Sequence, residues 1–232
     1  MHQFFVDSTI VLDEPVTLST DILRQVKTVL KLHPDEKVWL SDGQRLVEGT
    51  LQSNYTVLPH RVLSTLIQRK PITLYAALIR KERFEWMLQK ATELGVERIV
   101  PVIMERNVVK WEDEPKKQQR YQAILREAAE QCHRVDIPPL EAPVKLKTLT
   151  DQHPEIALVA YEQTEQTISL AKVPLEGTSV GILIGPEGGI SPNELGMLQK
   201  NGWIPVGLGP RILRAETAAL VALTTLNVRL ES

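Results

Sequence analysis

The sequence predicts an α/β chain: a small β-rich segment followed by a mainly parallel sheet with helices on both faces. Three observations carry this. From Ile72 onward, short apolar strand candidates alternate with amphipathic helical stretches, the pattern of a parallel sheet covered on both sides. Before that point, β-branched and aromatic runs dominate and helical periodicity is nearly absent. Near the C-terminus, two glycine loops each stand between a strand candidate and a helical stretch.

In chain order, Lys37–Ser41, Arg45–Leu51 and Tyr55–Leu58 read as strands, with Ser41-Asp42-Gly43 marking a tight turn. Within the first seventy residues only Asp21–Leu32 reads as helical, with Ile22, Val26, Val29 and Leu30 as its apolar positions. Gln68–Pro71 is polar and ends in proline, which sets the expected domain boundary at residue 70: 1–70 as one domain and 71–232 as the second. Ile72–Ile79 is a strand candidate. Glu82–Leu94 then places Phe84, Met87, Leu88, Ala91 and Leu94 on one helical face, and Gly95 sits where a C-cap belongs. Glu97–Ile103 is a strand, and Lys116–Arg134 a helix that Pro138 and Pro139 forbid from continuing. Ile156–Ala160, Ser179–Ile184 and Trp203–Gly207 are further strands, with helical stretches at Asn193–Lys200 and Ala215–Arg229.

Composition narrows the class. The 232 residues are 43% apolar and 24% charged, too apolar for a disordered chain, and no apolar run approaches the roughly 18 residues of a membrane span. The start, Met1-His2-Gln3-Phe4-Phe5, shows no basic stretch leading into an apolar one, so no secretory signal is expected and the chain reads as cytosolic. One cysteine, Cys132, leaves no internal disulfide and no Cys-rich zinc site. Its place on an apolar helical face reads as core. The five histidines are scattered without metal-ligand pairing and no Gly-x-Ser-x-Gly elbow exists, so neither metal nor covalent catalysis is expected. The formal charge is −2, but residues 53–147 hold 17 Lys and Arg against 12 Asp and Glu. A basic middle of that kind either solvates helix faces or meets phosphate.

The chemistry is expected outside the carboxyl ends of the strands, where open α/β sheets bind ligands. The first such end runs from Ile184 through Gly185-Pro186-Glu187-Gly188-Gly189-Ile190-Ser191. Ser191 reads as an N-cap with Pro192 at the first helical position. No Lys-Ser or Lys-Thr follows, and the glycine spacing fails the dinucleotide fingerprint. The second end runs through Leu208-Gly209-Pro210-Arg211-Ile212-Leu213-Arg214 into Ala215-Glu216-Thr217-Ala218. Arg214 and Glu216 are assigned to the first turn of the last helix, where a carboxylate is favourable beside the dipole and a cation is not.

These residues resemble the paired signature of the bacterial 16S ribosomal RNA uridine-N3 methyltransferases, a branch of the SPOUT superfamily. Lys90-Ala91-Thr92-Glu93-Leu94-Gly95-Val96 and Glu127-Ala128-Ala129-Glu130-Gln131-Cys132-His133-Arg134, with Ile137-Pro138, agree in order and spacing, so that the match is collinear over Ile72–Leu230. The β-rich start resembles the family's PUA-like β-barrel domain more loosely. Two positions depart: Ala215 stands in place of Thr, and Lys31 in place of the Arg that ends the first-domain helix. The second departure matters more, because Lys lacks the planar bidentate fork of Arg.

The resemblance implies a methyltransferase domain closed by a deep trefoil knot, a homodimer, S-adenosyl-L-methionine as cofactor, and the small ribosomal subunit as partner. It implies a cofactor pocket from Ile184, Gly185, Pro186, Glu187, Gly188, Gly189, Leu208, Gly209, Pro210, Ile212 and Leu213. Arg214 is the expected donor to charge developing on the uracil oxygens, and Glu216 the base, the base-positioner or a partner of Arg214. Lys31, Lys81, Arg83 and Arg134 are the expected RNA contacts. A SPOUT methylase of another base or of a ribose 2′-hydroxyl, and a non-catalytic ribosome-assembly factor, are the alternatives.

Overall fold

A computed structural model describes residues 1–66, 70–111, 114–150, 153–162 and 167–231. The chain divides into two compact units, Met1–Ile67 with Arg126–Ile137, and Gln68–Leu125 with Pro138–Ser232.

The first unit is a five-stranded sheet of β1 (Gln3–Phe5), β2 (Val16–Thr17), β3 (Lys37–Ser41), β4 (Arg45–Leu51) and β5 (Thr56–Thr65), in the order β1-β3-β4-β5-β2. β1 lies parallel to β3 and the remaining pairs are antiparallel. The β3–β4 turn is held by Asp42, whose carboxylate accepts from the backbone of Ile10, Gln44 and Arg45. Two expectations are corrected here. The run read over Tyr55–Leu58 begins one residue later, since Tyr55 lies in the preceding turn at a φ of +62°, and continues as a ten-residue strand through Pro59, which β5 tolerates because its register with β4 shifts between Glu48 and Gly49. The helix read over Asp21–Leu32 is α-helical only over α1 (Thr20–Arg24) and continues as a π-helical turn, Gln25–Val29. The wider turn brings Val26 into the core but leaves Val29 69% exposed. Residues 126–137 count with this unit because Gln3 Nε2 donates to the Arg134 carbonyl (2.6 Å) and Ser41 Oγ to that of Val135.

The second unit is a seven-stranded sheet, parallel throughout: β6 (Ile72–Ala77), β7 (Arg98–Ile103), β8 (Val144–Lys145), β9 (Ile156–Ala160), β10 (Ile168–Ser169), β11 (Val180–Ile184) and β12 (Ile204–Gly207). Its order is β10-β12-β9-β11-β6-β7-β8. Every residue of β6 and β11 is buried, which is why both read as unbroken apolar runs. On one face Tyr75, Val100, Val102, Val159 and Leu183 meet Leu195 and Leu198 of α4 (Pro192–Lys200) and Trp203. On the other, α2 (Lys81–Glu93) packs on α5 (Ala215–Glu231), and α5 on β6 and β11. Ala219, Ala222, Leu223 and Leu226 of α5 are fully buried, the small residues letting the backbones come close. The fifth helix, α3 (Pro115–Gln131), ends three residues before the expected Arg134, where His133 takes a φ of +61°.

Candidate active site

Strand order decides where the site forms. Three neighbouring strands of the sheet read β12-β9-β11, so the loops after β11 and β12 flank the end of β9 rather than each other. Together these three strand ends enclose a cavity of about 450 Å³.

The loop after β11 is fixed on all sides. Ser191 caps α4: its Oγ accepts from the Glu194 N–H (3.3 Å), and Glu194 Oε2 accepts from the Ser191 N–H (3.1 Å), a reciprocal capping box with Pro192 at the first helical position. Behind it, Ser191 Oγ donates to Glu105 (2.8 Å), and the Glu105 N–H donates to Glu194 Oε1 (2.8 Å). Arg106 Nη1 donates to the Gly188 carbonyl at 3.3 Å. A Cβ on Gly188 would stand 2.9 Å from the Arg106 carbonyl oxygen, so the close backbone approach admits only glycine. Glu187 Oε1 accepts from the Arg80 N–H (3.5 Å) at the start of α2 and from Arg83 Nη1 (3.4 Å).

The loop after β12 is open. Gly209 holds a φ of +119° with nothing within 4 Å of where a Cβ would lie. Ile212 is 85% exposed, and Arg211 and Arg214 are also exposed. The Ala218 N–H donates to the Arg214 carbonyl (2.8 Å), the first helical bond of α5. Arg214 is therefore the N-cap residue rather than a member of the first turn, and its side chain escapes part of the dipole penalty expected from the sequence.

The cavity gathers Ile184, Gly185, Pro186, Glu187, Gly188, Gly189, Leu208, Gly209, Ile212, Leu213 and Arg214, as well as Arg83. Pro210 and Glu216 do not line it. Glu216 Oε1 lies 3.7 Å from Arg83 Nε, and its Oε2 is buried without a hydrogen-bond partner. Lys81 lies outside the cavity and stands 3.9 Å from Glu85 on its own helix. In the first unit, Arg134 pairs with Asp136 at 2.8 Å with its side chain only 13% exposed, while Lys31 is exposed at a φ of +52°.

Further residues complete the wall: Ala160 at the end of β9, Tyr161 and Glu162 after it, then Ile190, Arg211, Ala215 and Ala218. The strand Ile156–Ala160 was legible, and the carboxyl-end rule would have nominated its last residue and the two that follow had its place between β11 and β12 been known.

A cavity of this size lies in the range of small-molecule and cofactor sites. Its wall combines apolar side chains, the two glycine-containing loops, and charges of both signs from Glu162, Arg211 and Arg214. That donor set suits a folded, zwitterionic ligand with an apolar ring.

Comparison with known proteins agrees. Residues 67–227 match the RNA methyltransferase domain family. The chain is 33% identical to the ribosomal RNA small subunit methyltransferase E of Synechocystis, over 96% of this chain and 76% of that one. It is 35% identical to the Mycobacterium bovis protein of the same name, over 87% and 81%. It superposes with a TM-score of 0.88 and 28% identity on the Neisseria gonorrhoeae ribosomal RNA small subunit methyltransferase E bound to S-adenosyl methionine, covering 99% of this chain and 98% of that one.

Proposed function

The chain belongs to the RNA methyltransferase family, among the small-subunit ribosomal RNA methyltransferases E, and from that premise we propose that it methylates uridine N3 in 16S ribosomal RNA with S-adenosylmethionine. The observation that carries the reading is the single cavity lined by both glycine loops and by Arg214.

The cavity's donor set fits the cofactor. The backbone of residues 184–189 and 208–213 would hold it, and Glu162 offers a carboxylate at the rim. When bound, S-adenosylmethionine supplies an electrophilic methyl group on a sulfonium centre. Uridine N3 lies on the Watson–Crick edge, so the base enters unpaired, turned out of its helix. The N3 proton would pass to water, the N3 lone pair would bond to the methyl carbon as its bond to sulfur breaks, and the donor would leave as the neutral thioether; negative charge develops on O2 and O4 of the ring as the proton departs. Arg214, exposed at the cavity and free of any ion pair with a described residue, donates to that charge from a site fixed by the start of α5.

The first unit serves as a PUA-like RNA-binding domain, with Lys31 on its surface and Lys81 on the second unit as phosphate contacts. Arg134, paired with Asp136, holds the first unit's own structure. The enzyme acts in the cytoplasm as a homodimer. The domain closes in the trefoil knot that the family resemblance implies.

The experiment is incubation with labelled S-adenosylmethionine and undermodified small ribosomal subunits, followed by nucleoside mapping. Label in N3-methyluridine bears the reading out. Label in a ribose methyl or another base moves the reading to a different SPOUT specificity, and no transfer together with no calorimetric binding of the cofactor overturns it.

A further inference from the structure

We propose that Arg83 is a positioning residue that clamps the glycine loop after β11 to the start of α5, and is not an RNA contact. The inference rests on the reading of the cavity as the S-adenosylmethionine pocket. Arg83 occupies the first turn of α2, where a cation is disfavoured by the helix dipole, so its presence there needs an offsetting partner. It has two, both carboxylates and both brought from elsewhere in the chain: Nη1 lies 3.4 Å from Glu187 Oε1, and Nε lies 3.7 Å from Glu216 Oε1. The three side chains are 31, 20 and 12% exposed, so the pairs are partly shielded from water and salt, unlike an ordinary surface bridge.

Geometry gives the clamp its consequence. Glu187 belongs to the braced glycine loop and also accepts from the Arg80 N–H at the start of α2. Glu216 is two residues beyond Arg214, on the first turn of α5. One guanidinium therefore fixes the spacing between the wall formed by residues 185–189 and the helix start that presents Arg214. Glu216 Oε2 is buried without a hydrogen-bond partner among the described residues, so the Arg83 ion pair supplies charge compensation to Glu216. Removing one member of such a pair leaves the other uncompensated. Two carboxylates on two elements, one hydrogen-bonded and one ion-paired, also fit the residue type, since a guanidinium spreads its charge and donors over a plane and an ammonium is a point charge.

The test is calorimetric titration of S-adenosylmethionine into Arg83→Gln, Arg83→Lys, Glu216→Gln and the Arg83→Gln/Glu216→Gln double variant, with KM for small subunits measured beside it. Arg83→Gln is expected to weaken cofactor binding about tenfold, and the double variant to bind no worse than Arg83→Gln alone, since coupled neighbours are not additive. Arg83→Lys should recover part of the loss, which also shows that the effect is not a failure to fold. Cofactor affinity unchanged in Arg83→Gln with only KM for the subunit raised makes Arg83 an RNA contact and overturns the clamp, as does simple additivity in the double variant. Wild-type protein that takes up no S-adenosylmethionine overturns the pocket reading, and the clamp falls with it.

Discussion

The two glycine loops look alike in the sequence and differ in everything else. The loop after β11 is pinned by the Ser191–Glu194 capping box, by Glu105 and Arg106 behind it and by Arg83 in front. The loop after β12 carries Ile212 into solvent and leaves open space around Gly209. Gly188 is glycine because the Arg106 carbonyl oxygen lies only 2.9 Å from where a Cβ would stand, Gly209 because its φ is +119°. One loop is preorganised to receive a ligand, the other is free to adjust to it, and it is the free one that ends in Arg214. A site that must bind a cofactor firmly and then admit a nucleotide gains from that division, since preorganisation lowers the cost of binding while the adjustable wall can change shape when RNA arrives.

Several substitutions test this division. The largest effect is expected from Arg214→Ala: single-turnover methylation of small subunits should fall by about 10²–10³-fold, as for loss of one donor to a developing oxyanion, with cofactor affinity largely kept. Near-normal turnover would take the chemistry away from the open loop. Gly188→Val forces a side chain against the Arg106 carbonyl, and overpacking should lower stability by about 1–3 kcal/mol in a denaturant melt and abolish calorimetric binding of S-adenosylmethionine. A variant that binds normally would show that the braced loop is not rigid. Ser191→Ala removes a cap, which should cost about 1 kcal/mol of stability and weaken the same binding through the loss of the Glu105 contact. In the open loop, Gly209→Ala meets no atom and pays only for its backbone angle, about 1 kcal/mol by the strain of an unfavourable φ. If it costs more than Gly188→Val, the contrast between the loops is wrong. The smallest change is expected from Ile212→Ser, within about 0.5 kcal/mol of wild type in thermal unfolding, as for other exposed positions.

The parts legible in the sequence were those set by neighbours along the chain. Ser191 and Pro192 are where a capping rule places them, because that hydrogen bond closes within three residues. The strands Ile156–Ala160, Lys37–Ser41 and Arg45–Leu51 have the limits their apolar runs suggest. β8 and β10 were missed, since two-residue edge strands leave no period to read. The ion pairs of Arg83 were not legible in the sequence because both of its carboxylate partners lie more than a hundred residues downstream. Arg134 differs: its partner Asp136 is only two residues away, but the partial burial that leaves its side chain 13% exposed comes from the fold and not from the local sequence.

The strand–helix alternation of a parallel sheet, the Ser191 cap and two glycine loops at strand ends are legible in the amino-acid order, since each depends on short-range sterics and hydrogen bonding. Strand order was decided only by the tertiary structure. By seating β9 between β12 and β11, it made two separate loops into the walls of one cavity, added Tyr161 and Glu162 to that cavity, and aligned Glu187 and Glu216 on one guanidinium. Such juxtapositions come from how buried faces pack across the whole sheet, and no local pattern encodes them.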